Sequence, residues 1–169
     1  MNRQLVLLRH AKSSWSHPER ADHDRPLNAR GRRQAPLVGA WLDAHDFRPD
    51  LVLCSSARRA RETVEALCEA AQWDVAVRLE QDLYLAEPEG ILDLAAWQGD
   101  GAVRLLMVGH NPGLSTLASR LAGREIALRT ACLARFELSG PWADLTGPQA
   151  ISARLLDLVC PGHGTERDP

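Results

Sequence analysis

The chain has 169 residues, of which 45% are hydrophobic and 25% charged, values ordinary for a soluble globular protein; at this length roughly 70% of the unfolded surface is buried, enough for one core without a disulfide or metal staple. The net charge of -2 gives no electrostatic reason to expect nucleic acid or an anionic membrane as partner, and no apolar run approaches the ~18 residues of a membrane span.

Leu5-Val6-Leu7-Leu8 is short and apolar, which suits a buried parallel strand. It is too short for the core of a signal peptide, so a cytoplasmic chain is expected. Residues 11–26 are polar and read as a loop. Asn28 is placed to cap a helix in which Ala35, Val38, Trp41 and Leu42 recur at helical spacing. Pro36 means that this helix either kinks or becomes regular only at the proline. Pro49 marks a turn, and residues 50–54 read as a second strand. Residues 57–72 give the clearest helix, with Ala60, Val64, Leu67, Cys68 and Ala71 on one stripe. A short third strand is expected at 75–77, a helix at 88–97 with Pro88 in its first turn, and a fourth strand at 103–108. Asn111-Pro112 then opens a helix through Leu114, Leu117, Ala118 and Leu121. Residues 133–138 and 152–159 read as two late strands. The order β-α-β-α-β-α-β-α-β-β implies a three-layer α/β/α sandwich with a largely parallel central sheet. One domain over residues 1–160 is expected, with a loose tail at 161–169.

Cys54, Cys68, Cys132 and Cys160 have neither Cys-x-x-Cys nor zinc-ligand spacing, so free thiols in a reducing compartment are expected. The five tryptophans are expected in the core by default. His17, His23, His45 and His163 fit no ligand geometry and read as solvated. Neither a metal nor another cofactor is expected.

In sheets of this kind reactive groups gather beyond the carboxyl ends of the strands. Arg9 and His10 follow the first strand, Ser55-Ser56-Ala57-Arg58-Arg59 the second, and Gly109-His110-Asn111 the fourth. Arg58 and Arg61 have Glu62 and Glu65 four residues on, as exposed pairs do. Arg59 has Thr63 there and so lacks a local acidic partner. It lies in the first turn of its helix, where free N–H groups and the dipole favour an anion. Arginines converging on such an end suit a phosphoryl group, because guanidinium matches its oxygens in a fork.

Leu7-Leu8-Arg9-His10-Ala11-Lys12 resembles the Arg-His-Gly signature of the histidine phosphatase (phosphoglycerate-mutase-like) superfamily. Ser55 to Thr63 is similar to its Ser-x-x-x-Arg-Ala-x-x-Thr motif, with the arginine falling on Arg59. Val108-Gly109-His110-Asn111-Pro112-Gly113 is similar to the segment carrying its second histidine. Arg25-Pro26-Leu27-Asn28-Ala29-Arg30-Gly31 resembles the SixA-type phosphohistidine phosphatase branch. Ala11 stands in place of the signature glycine, and Ser16 where mutases carry asparagine.

The resemblance implies that His10 attacks phosphorus as a neutral imidazole, forming a phosphohistidine that water then hydrolyses. Arg9, Arg59 and His110 would hold the phosphoryl oxygens, and Arg25 and Ser16 would contact substrate. Glu80 and Asp82 are the nearest candidates for a general acid, but Glu80-Gln81-Asp82-Leu83-Tyr84 does not match the mutase pattern. A phosphoramidate bond cleaves without such an acid more readily than an alkyl phosphate. The implied substrate is therefore phosphohistidine on a protein. A small-molecule phosphomonoesterase or mutase, or a non-catalytic phosphoprotein-binding module, are the alternatives. There is no Gly-x-x-x-x-Gly-Lys-Ser/Thr loop, Gly-x-Gly-x-x-Gly or Gly-x-Ser-x-Gly.

Overall fold

In the computed structural model, residues 2–147 and 152–162 are described. Among them six strands form one sheet: β1 (Asn2–Arg9), β2 (Leu51–Ser55), β3 (Ala76–Glu80), β4 (Arg104–Gly109), β5 (Leu133–Ser139) and β6 (Ala153–Val159). Four helices flank it: α1 (Ala29–Ala44), α2 (Arg58–Ala71), α3 (Pro88–Gln98) and α4 (Gly113–Ala122). Short 3-10 turns at Asp22–Asp24, Gln81–Leu83 and Trp142–Thr146 interrupt stretches that read as loop in the sequence.

The sheet order is β3-β2-β4-β1-β5-β6. The first four strands are parallel; β5 runs antiparallel to β1, and β6 antiparallel to β5. Strand alternation divides the core in two. Leu5, Leu7, Leu51, Leu53, Leu105 and Met107 face α3 and α4. Val6, Leu8, Val52, Cys54, Leu106 and Val108 face α1 and α2. Both sheet faces are therefore covered, which explains why these strands read as unbroken apolar runs.

Asn28 caps α1 by accepting from the Gly31 amide at 2.9 Å. The helix is regular from Ala29 and runs through Pro36. The carbonyl that loses its partner belongs to Arg32, an exposed residue that water reaches. Gly39 lets α1 approach α2 closely: a Cβ there would overlap the Leu67 carbonyl.

Three expectations are corrected here. Cys132 and Cys160 form a disulfide rather than two free thiols. The cause is topological, since Cys132 precedes β5, Cys160 follows β6, and these strands are antiparallel neighbours. Cys54 and Cys68 are free. Trp15 and Trp97 are exposed, unlike the buried Trp73 and Trp142. Arg58 pairs with Glu62 at 2.7 Å, but Arg61 is half-buried and its Nε has no partner. Of the expected tail, residues 163–169, with His163, lie outside the described residues.

Candidate active site

β2, β4 and β1 lie side by side and parallel. Their carboxyl ends meet in register, with Arg9 opposite Gly109 and Cys54 opposite Val108. Residues distant in sequence thereby share one cleft of about 310 Å³, lined by Arg9, His10, Arg59 and His110 together with Asp22 and Arg25.

His10 is 6% exposed. Its Nδ1 lies 2.7 Å from the Ala11 carbonyl oxygen. A carbonyl only accepts, so Nδ1 carries the proton and Nε2 presents its lone pair. Arg59 Nε donates to that Nε2 at 3.2 Å. Burial first, with the Arg59 and Arg9 charges, outweighs the Ala11 carbonyl contact and holds the His10 imidazolium pKa well below its ordinary value, so the ring is neutral at pH 7. The segment is fixed from behind. Thr63 Oγ1 accepts from the Ala11 amide at 3.0 Å and donates to the Arg59 carbonyl at 2.6 Å. Thr63 thus ties the segment that follows β1 to α2. Ala11 is buried and is not among the positive-φ residues, so alanine replaces glycine there without backbone strain.

Arg59 is 2% exposed. Its guanidinium reaches the Asp22 carbonyl at 2.7 Å, Asp22 Oδ2 at 3.1 Å and His110 Nδ1 at 3.3 Å. His110 Nδ1 accepts from Arg59, so Nε2 carries the proton and donates to Ser55 Oγ at 2.7 Å. Burial first, then the Arg59 charge, lower the His110 pKa to about 3. Arg9 donates to the Leu128 carbonyl at 3.1 Å, while its Nε is buried without a partner. Burial and the neighbouring Arg59 lower its pKa. The two arginines repel one another across a buried space, and an anion between them would relieve that repulsion.

The family model of the histidine phosphatase superfamily (branch 1) matches residues 5–87. An uncharacterized protein of Mycobacterium tuberculosis is 39% identical over 150 residues, 82% of this chain and 91% of its own. An uncharacterized chloroplastic protein of Arabidopsis thaliana is 32% identical over 95% of this chain and 79% of its own. The chain belongs to the histidine phosphatase superfamily. Among solved structures, a "putative phosphohistidine phosphatase SixA" from Nakamurella multipartitia superposes with a TM-score of 0.83 at 29% identity, covering 96% of this chain and 98% of its own. A protein of the same description from Agrobacterium tumefaciens gives 0.80 at 28%, covering 94% and 98%.

This member of the superfamily brings Arg9, His10, Arg59, His110 and Arg25 into one cleft. Ser16 is exposed, bonded to Ser14 Oγ at 2.9 Å, and does not line it. Glu80 and Asp82 do not line it either, and Glu80 Oε1 accepts from Gln98 at 2.7 Å. His23 is half-buried rather than solvated, with Nε2 2.9 Å from Ser56 Oγ and its ring edge-on to Tyr84.

Asp22 and Tyr84 are the polar neighbours that sequence reasoning missed. Arg59 does have an acidic partner, but it comes from the loop after β1, 37 residues away. Asp22 Oδ1 accepts from Arg25, and Oδ2 from Arg59 and the Tyr84 hydroxyl. Burial alone would raise the Asp22 carboxyl; Tyr84, Arg59 and Arg25 outweigh it and hold it at about 2. The only local hint was Asp22 three residues before Arg25, a spacing that says nothing of Arg59.

Proposed function

We propose that this chain is a phosphatase working through a phosphohistidine intermediate at His10, and that it removes the phosphoryl group from phosphohistidine on a protein. The observation that carries the reading is the unprotonated Nε2 of a neutral His10, set by the Nδ1 contact with Ala11, with its lone pair accepting from Arg59 Nε. In the proposed reaction the Nε2 lone pair attacks phosphorus. The bond to the leaving imidazole breaks, and its electron pair returns to that ring's nitrogen. Water then attacks phosphorus, the P–Nε2 bond breaks, and phosphate departs from neutral His10. Arg9, Arg59 and His110 stabilise the charge on the phosphoryl oxygens, so no metal or other cofactor is assigned a role. The acting unit is residues 1–160 in a cytoplasmic setting, and the net charge of -2 supports the exclusion of nucleic acid and membrane partners.

The choice of leaving group rests on the missing acid. Asp22, the carboxylate lining the cleft, is ionised far below neutral pH and has no proton to give. An alkyl phosphate without a positioned acid forfeits typically 10²–10⁴ in rate; a protonated phosphoimidazole leaves as a neutral ring. The names carried by the SixA relatives support the same substrate. Between β3 and β4 the described chain holds a 3-10 turn and α3, which leaves the cleft mouth open to a protein.

Turnover of a phosphohistidine protein, nitrophenyl phosphate and phosphoglycerates tests this. The first two should be hydrolysed and the last scarcely touched, with Glu80→Gln and Asp82→Asn within a few-fold of wild type on phosphohistidine. Efficient phosphoglycerate turnover would move the protein to small-molecule chemistry. Binding of phosphohistidine without turnover would make it a binding module.

A further inference from the structure

At the mouth of the cleft stand two exposed apolar side chains from different loops: Trp15 after β1, 71% exposed, and Leu85 after β3, 55% exposed. Trp15 is held in place. The Arg25 guanidinium lies 3.6 Å from the centroid of its ring. Arg25 is itself buried and donates to Asp22 Oδ1 at 3.0 Å, Ser13 Oγ at 2.8 Å and the Ser14 carbonyl at 3.2 Å. One indole face is thus covered by a cation, and the high exposure leaves the other open. Leu85 has a φ of 52°, a left-handed conformation rare for a side chain of its size. Strained conformations of this kind cluster at active sites and ligand clamps.

We infer that Trp15 and Leu85 form the specificity rim for the leaving group, and that the open indole face stacks on its planar imidazole while the phosphoryl group sits among Arg9, His10, Arg59 and His110. This rests on the proposed phosphatase reaction and adds how the substrate is recognised beyond phosphorus. A flat ring is the matching shape because an aromatic face gains most from another ring, in offset or edge contact. The occupant is a phosphohistidine side chain projecting from a protein surface, its ring reaching the rim as its phosphorus reaches Nε2.

Two substrates with the same P–N bond separate the rim from the phosphoryl site: a phosphohistidine protein, which has the ring, and phosphoramidate, which does not. The readout is the ratio of their kcat/KM values. Trp15→Ala should lower this ratio about two- to tenfold, the range an aromatic contact commands, mainly through KM for the phosphohistidine protein. Leu85→Ala should lower it in the same direction, and Trp15→Phe should restore it. If Trp15 served only to pack Arg25, its removal would disturb Asp22 and Arg59 and slow both substrates alike. A ratio unmoved in Trp15→Ala therefore overturns the rim and leaves the phosphatase reading standing. Wild-type protein that hydrolyses neither substrate overturns both.

Discussion

Arg58 and Arg59 are neighbours in sequence with different surroundings. Arg58 is exposed and paired with Glu62; Arg59 is buried between His10 and His110. Arg59→Ala should lower kcat by 10²–10³, as removal of a transition-state charge partner does, while Arg58→Ala should change little. Steady-state kinetics on nitrophenyl phosphate decide it, and equal losses would contradict the site. The histidines have a second consequence. His110 is neutral in the fold down to about pH 3 but titrates near 6.5 when unfolded. Between those values the unfolded chain binds more protons, so stability rises with pH up to about 6.5 and then levels. His10 acts in the same direction. Melting temperatures across pH 4–8 should show this slope, and it should be shallower in His110→Asn. A slope unchanged in that variant would contradict the burial assigned to His110.

At the scale of elements, the close approach of α1 and α2 depends on Gly39. A methyl group there would run into the backbone carbonyl of Leu67, which cannot rotate away as a side chain does. Gly39→Ala should destabilise the protein by about 1–3 kcal/mol through overpacking, measured by urea unfolding; an unchanged midpoint would contradict the helix packing. The elements themselves were legible because local chemistry specified them. Asn28 announces α1, the 60-64-67 stripe of α2 fits its buried side, and the apolar runs of β1 and β4 match strands covered on both faces. Arg9, His10, Arg59 and His110 were legible for the same reason, since each ends or directly follows a strand or lies in the first turn of a helix, whereas Arg25 came only from the family resemblance. Asp22 and Tyr84 were not. Their surroundings come from segments far apart in sequence, and no spacing along one element encodes such a contact. The antiparallel turn that brings Cys132 to Cys160 is hidden in the same way.

For the molecule as a whole, that disulfide closes a separation of 28 residues around β5 and β6. A loop of that size corresponds to about 3.5 kcal/mol in the chain-entropy account. In a reducing cytoplasm the bond would stand open. Cys160→Ser, or addition of dithiothreitol, should therefore lower stability by that order, and a midpoint indifferent to reductant would show that the bond contributes nothing. The fold's larger role is to set β2, β4 and β1 side by side, so that three strand ends bring His10, His110, Arg9 and Arg59 to one place. In the proposed reaction His10 becomes covalently phosphorylated there. Rapid acid-free quenching after mixing with a ³²P-labelled phosphohistidine protein measures it most directly. Alkali-stable, acid-labile label is expected on the peptide carrying His10, absent in His10→Ala and decaying as phosphate appears. Phosphate release at the wild-type rate with no label on His10, or label retained in His10→Ala, would contradict it.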